Sequence, residues 1–134
     1  MPIPPPTDAE LQALSVLWQN GPATARAVRE AMPDGKDRSY TTVLSTLQHM
    51  EAKGLVTRAG VEGRAIVYRP ARPKRRVLGP VLRRLTQRAF GGRPADVLQH
   101  LLQDAGKVPP DQLARMRELL DEAERAAEEK EIAR

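Results

Sequence analysis

The chain has no cysteine, which excludes disulfide staples, thiol redox chemistry and zinc sites built on thiolates. Histidine is nearly as scarce: His49 and His100 stand far apart in sequence, too sparse for a His-based metal site. Aromatics are 3% of the 134 residues against a hydrophobic content of 40%, so the core is expected to be Leu, Val and Ala. No apolar run reaches membrane-spanning length and no charged-then-apolar signal segment opens the chain. The expectation is a soluble, cytoplasmic protein of one ordinary domain, or a small domain with an appendage. The constellations of enzymes are missing too. There are no paired carboxylates in a pocket-forming context, no Ser/His/Asp set, no phosphate-cradling glycine loop and no metal cluster. No catalysis, metal or cofactor is expected.

Acid is missing from one stretch. Residues 71–94 hold 8 Lys/Arg and no Asp/Glu, while residues 1–70 hold 8 against 7 and residues 95–134 hold 6 against 10. The net charge of +5 therefore hides a basic middle and an acidic tail. That asymmetry suggests an anionic partner for the middle and a separate task for the tail.

What the chain does have is an unusual helix. From Ser39 to Gly54, Val43, Leu47 and Met50 fall on one stripe at 3.6 residues per turn, with Leu44 and Tyr40 at its edges. The opposite face carries Thr41, Ser45, Gln48 and His49, with Thr42 beside them. Exposed helix faces are usually rich in Lys and Glu. This one offers short hydroxyls, an amide and an imidazole, groups that approach base edges without repelling phosphates. Taken alone, an ordinary amphipathic helix is the simpler reading, so the neighbouring segments decide.

Residues 1–6 are a proline-rich leader, expected to be loosely ordered. Thr7 with Glu10 is a capping-box pair that opens a first helix burying Leu11, Leu14, Leu17 and Trp18, stopped by Gly21-Pro22. Thr24 caps a short second helix with Ala25, Val28 and Met32 inside. Pro33-Asp34-Gly35 ends it, and a polar loop leads to Ser39, the cap of the third helix. After Gly54 the period changes: residues 55–59 and 65–69 read as strands flanking a loop at 60–64. Three helices followed by a hairpin are the winged helix-turn-helix layout, in which the third helix enters the major groove and the hairpin lies along the backbone or minor groove. That domain is assigned residues 7–71, and residues 72–76 form a basic linker. Residues 77–134 form a helical region, with its first helix expected to kink at Gly79-Pro80 or to begin at Pro80. Its apolar stripes are Val81, Leu82, Leu85 and Phe90; Leu98, Leu101 and Leu102; and Leu113, Met116, Leu119 and Leu120. Helices of this length rarely bury enough surface alone, so these residues are assigned to a homodimer interface. The fold class is thus mostly α with a small β-hairpin wing, an N-terminal winged helix-turn-helix domain plus a C-terminal helical dimerisation region.

The sequence resembles the penicillinase-repressor family of bacterial transcriptional regulators, the BlaI/MecI/CopY type. The carrying residues are Thr7-Asp8-Ala9-Glu10, Thr24 with Val28, Tyr40-Thr41-Thr42-Val43 with Thr46-Leu47, Lys53-Gly54-Leu55, Gly63-Arg64 and Tyr68-Arg69-Pro70. The match is strong over residues 7–70 and weaker beyond. The resemblance implies a homodimeric repressor on palindromic, double-stranded operator DNA, with derepression by proteolysis triggered by a membrane sensor metalloprotease. The copper-responsive branch binds metal through C-terminal cysteines, which this chain lacks. Two departures stand out. His49 occupies a place the family usually gives to arginine, and the Asn-Phe pair cut in β-lactam-responsive members corresponds to His100-Leu101.

On this reading Thr41, Thr42, Ser45, Gln48 and His49 face the DNA, with Ser39 at the head of the same helix. Arg38, Lys53, Arg58 and Arg64 are assigned to backbone phosphates, although for Lys53 helix-dipole complementarity is an equally good explanation. Tyr40 and Tyr68 are read as packing residues. The alternative is a winged-helix adaptor that binds protein, favoured by the near-neutral charge of residues 1–70.

Overall fold

The computed structural model describes residues 4–133, so Met1 to Ile3 of the leader and Arg134 of the tail lie outside the described residues. In chain order the elements are α1 (Asp8–Asn20), β1 (Ala23–Thr24), α2 (Ala25–Ala31), a 3-10 turn (Gly35–Asp37), α3 (Tyr40–Lys53), β2 (Val56–Glu62), β3 (Ala65–Pro70), α4 (Lys74–Ala89), α5 (Pro94–Asp104) and α6 (Pro110–Ile132). This is the mostly helical fold with a small antiparallel sheet that the residue pattern predicts.

Local chemistry sets the helix starts. The Glu10 amide donates to Thr7 Oγ1 at 3.3 Å while the Thr7 amide donates to Glu10 Oε1 at 2.8 Å. Both halves of the capping box are thus made, and losing such a cap typically costs about 1 kcal/mol. The Ala27 amide donates to Thr24 Oγ1 at 3.3 Å to start α2. The core is Leu14, Leu17, Val28, Val43, Leu47, Met50, Leu55, Val56 and Tyr68, each 2% exposed or less, with Ala13, Val16, Ala25 and Met32 around them. Each large aliphatic side chain buried this way contributes about 1.5–3 kcal/mol. Leu11 and Trp18 are only half-buried; Ala13 and Val16 take the deeper positions on α1.

Three boundaries differ from the sequence pattern. The hairpin is longer than expected: the strands reach Glu62 and resume at Ala65, leaving a two-residue Gly63-Arg64 turn. Gly63 has φ 64° and no non-glycine residue among the described residues has positive φ, the pattern of a type II′ turn, which matches strand twist. A bulge between Arg58 and Gly60 keeps the strands in register around the extra residue. Secondly, the sheet has a third member, in the order β1-β3-β2, with Ala23 opposite Tyr68 and Thr24 opposite Val67. A two-residue strand leaves no alternation to read, and Thr24 serves as both ladder partner and helix cap. Thirdly, the basic stretch expected as a linker is helical from Lys74, and α4 runs on through Pro80. The Pro73 carbonyl accepts from the Arg76 and Val77 amides to start it. Val77 packs against the core, and Trp18 Nε1–H donates to the Arg72 carbonyl at 3.1 Å, so this segment is anchored.

The chain divides into two compact units, one ending at Arg84 and the other Leu85–Arg134. None of α4, α5 or α6 contributes a fully buried residue. Leu82, Leu85, Leu101 and Leu120 are each more than half exposed, and Leu119 nearly so.

A Cβ at Gly35 would come within 1.8 Å of the Arg29 carbonyl oxygen, whereas one at Gly79 would meet nothing within 4 Å beyond its own helix backbone and chain neighbours. Gly35→Ala is therefore expected to lower stability by about 1–3 kcal/mol through forced backbone shifts. Gly79→Ala gains helix propensity but sets its Cβ against the ring of the following Pro80, so little net change in stability is expected. Thermal unfolding of the two variants checks the pair.

Candidate nucleic-acid interface

The helix α3 is held so that its polar side looks outward. Ser39 caps it, with Oγ accepting from the Thr42 amide at 3.0 Å and sharing a 2.8 Å hydrogen bond with Thr42 Oγ1. At the other end Gly54 takes a left-handed conformation with φ 83°, and the Leu55 amide donates back to the Met50 carbonyl at 2.8 Å. That glycine closure is a helix stop which leads straight into β2. With Val43, Leu47 and Met50 sealed in the core, the arc opposite them carries Thr41, Thr42, Gln48 and His49 exposed and Ser45 half-buried. Thr41, Ser45, Gln48 and His49 make no side-chain hydrogen bond to other described residues. Their donors and acceptors remain open to a ligand. Ser39 and Thr42 instead spend their hydroxyls on the cap. Tyr40 is 44% exposed, so it belongs to this outer face and not to the packing, as the stripe suggested.

Tyr68 is fully buried, as expected of a packing residue, and its hydroxyl has no hydrogen-bond partner among the described residues. Burial, together with the nearby Glu51 carboxylate, pushes its phenol above the ordinary tyrosine value. The four cations assigned to phosphates divide. Arg38 pairs with Asp34 at 2.9 Å, and its carbonyl accepts from Arg29 Nε–H. Arg58 grips Glu51 with two contacts, Nε–H to Oε2 at 2.8 Å and Nη2 to Oε1 at 3.4 Å. Lys53 Nζ donates to Glu10 Oε1 at 2.6 Å, so its charge is turned inward. Arg64, exposed at the hairpin turn, has no side-chain partner among the described residues. The pairs Glu10–Lys53 and Glu51–Arg58 have no local signature. They join residues separated by 43 and 7 positions across different elements, so a helical-spacing search cannot find them.

Glu10 is only 4% exposed. Burial raises its carboxyl pKa. The Lys53 hydrogen bond, the Thr7 amide and the Lys53 charge outweigh that, leaving it below the ordinary glutamate value. Among the described residues no group of His, Cys, Asp or Glu is placed to hold a metal ion, and no helix is long and apolar enough to cross a membrane.

A three-helix core that presents its third helix outward and continues into a two-stranded wing defines a winged helix-turn-helix protein. The family profile described as penicillinase repressor matches residues 6–122. The "Transcriptional regulator BlaI" of two Mycobacterium tuberculosis strains, CDC 1551 / Oshkosh and H37Rv, is 32% identical over 110 residues, 81% of this chain and 79% of the relative. The chain belongs to the penicillinase-repressor family, DNA-binding transcriptional repressors of the BlaI type. Among solved structures, transcriptional regulator Tm0710 from Thermotoga maritima aligns with TM-score 0.51 and 19% identity over 92% of this chain and 78% of that one. Its likeness is one of fold. The Bacillus licheniformis BlaI monomeric form in complex with the blaP half-operator aligns with TM-score 0.46 and 27% identity, over 56% of this chain and 90% of that one.

The Glu10–Lys53 pair has a checkable sign. A depressed folded-state pKa means stability that is present above the ordinary glutamate range and lost as pH falls through the folded value. Lys53→Met leaves a buried carboxylate unpaired, at an expected cost of about 1–3 kcal/mol at neutral pH. The gap to the parent protein should close as acid protonates Glu10. Unfolding curves from neutral pH into the acid range test this, and a pH-independent gap would contradict it.

Proposed function

We propose that this protein is a homodimeric, sequence-specific repressor that lays α3 of each copy into the major groove of one half of a palindromic promoter operator. The observation that carries the reading is the outward face of α3: Thr41, Ser45, Gln48 and His49 are unpaired side chains backed by a sealed apolar stripe. Thr42 and the Ser39 cap stand at the end of that face. Hydroxyl, amide and imidazole groups suit base edges, each good contact contributing about 1–3 kcal/mol of discrimination. Arg64 at the wing turn is assigned to phosphate, as are the remaining N–H groups of Arg38 and Arg58. Lys53 is assigned to positioning α3 through Glu10 instead.

Dimerisation is supported by the exposure of Leu82, Leu85, Leu101, Leu119 and Leu120 on helices that bury nothing fully among the described residues. Val81, Phe90, Leu98, Leu102, Leu113 and Met116, half-buried on the same helices, complete the assigned interface. The reading places the protein in the cytoplasm, without catalytic activity. Relief by a membrane sensor metalloprotease belongs to the same reading. The His100-Leu101 bond lies inside α5 with both side chains exposed, so cutting there requires local opening of the helix. Release of repression in induced cells without any shortened repressor on a blot would remove proteolysis from the account.

Fluorescence anisotropy with a duplex from the gene's own upstream region tests the DNA reading. The double variant Thr41→Glu/Ser45→Glu should bind at least about 100-fold more weakly, as two base contacts are replaced by charges facing phosphate, with an unfolding temperature near that of the parent. Undiminished binding would mean that another face meets DNA. Log affinity should fall with log salt by about 0.9 for each phosphate contact. In sedimentation, Leu119→Lys/Leu120→Lys is expected to shift the protein from dimer to monomer, and an unchanged dimer would place the interface elsewhere.

A further inference from the structure

The leader and the start of α4 border a second site, a partly open cavity of about 160 Å³. Pro4, Pro5 and Pro6 form one wall, Val77, Pro80 and Val81 another, and Arg72, Arg76 and Arg84 line the rest. The spacing explains the shape. Arg76, Pro80 and Arg84 succeed one another at four-residue steps on α4, and Val77 and Val81 form the adjoining row. Proline rings are apolar and lack an amide N–H, so the lining side chains that donate hydrogen bonds are the three guanidiniums. No acid lines the cavity, and residues 71–94 contain none. None of the three arginine side chains has an ion-pair partner among the described residues.

Three unanswered cations around an apolar hollow call for an anion that also fills the space. We propose that this cavity binds a small monocarboxylate with a compact apolar body of about six carbons. A cavity of roughly 150 Å³ is known to hold a benzene-sized solute, which sets the size. The arginine fork recognises a carboxylate through two parallel N–H bonds, which sets the charged end. Inorganic phosphate would satisfy the guanidiniums and leave the proline and valine surfaces wet. The Trp18–Arg72 hydrogen bond ties the lip of the cavity to α1, so a bound carboxylate would join leader, α4 and α1. The site stands on its own lining and does not depend on the DNA-binding reading.

Calorimetry on the full chain tests it with cyclohexanecarboxylate, its neutral isostere cyclohexanecarboxamide, and inorganic phosphate. Saturable binding of the carboxylate is expected, with the amide and phosphate each at least about tenfold weaker. Arg76→Gln/Arg84→Gln should weaken the carboxylate by at least about tenfold, and so should removal of residues 1–5. Arg83→Gln/Arg88→Gln, the same charge change on residues that do not line the cavity, should leave its affinity unchanged. Absence of saturable carboxylate binding, equal binding of amide or phosphate, or equal loss in both arginine pairs would overturn the proposal. Displacement of the carboxylate by duplex DNA would assign the arginines to phosphates and overturn it as well.

Discussion

A carboxylate that is 4% exposed at the start of α1 has two duties. Glu10 closes the capping box on Thr7 and accepts the Lys53 ammonium from the last turn of α3. Its position near the surface, with a partly exposed partner, keeps the desolvation cost moderate, while the two hydrogen bonds hold the charged form. The result is a brace between the first helix and the far end of the third. On β2, Arg58 reaches back to Glu51 of the same last turn. The C-terminal turn of α3 is thus gripped from α1 and from the wing, while its middle is fixed by Val43, Leu47 and Met50. A reading surface on a rigid element is more precise than one on a loop. These contacts supply the rigidity.

That arrangement alters how the N-terminal charges are understood. Most of its assigned cations are answered by its own acids: Arg38 by Asp34, Arg58 by Glu51 and Lys53 by Glu10. Three of the acids of residues 1–70 are thus paired internally, and the near-neutral balance of that stretch does not by itself argue against a nucleic-acid partner. Sequence discrimination is then expected to come from neutral polar groups on α3, with Arg64 at the wing turn the one assigned cation that has no ion pair among the described residues.

Much of the fold was legible because it rests on local chemistry. Capping residues Thr7, Thr24 and Ser39 mark the helix starts, Gly54 marks a stop, and the 3.6-residue stripe of α3 picks out its buried side. The family resemblance agrees with the profile match over residues 6–122. What escaped depends on distant partners. The strand β1 exists because Tyr68 and Val67 lie beside it, and α4 starts early because Pro73 caps it and Val77 finds the core. Tyr40 was misplaced because an apolar ring at the edge of a stripe goes in or out according to what stands opposite. At the candidate site the free hydroxyls were visible in the pattern, but the inward turn of Lys53 was not.

The central claim is that the outward arc of α3, with the hairpin turn, meets duplex DNA. Amide chemical shifts of the labelled protein, followed while its own upstream duplex is added, test that claim most directly. The account expects the largest changes at Thr41, Ser45, Gln48, His49 and Gly63-Arg64, with Arg26 and Glu30 on the outer side of α2 little affected. Changes confined to α2 or to the C-terminal helices, with α3 silent, would contradict it.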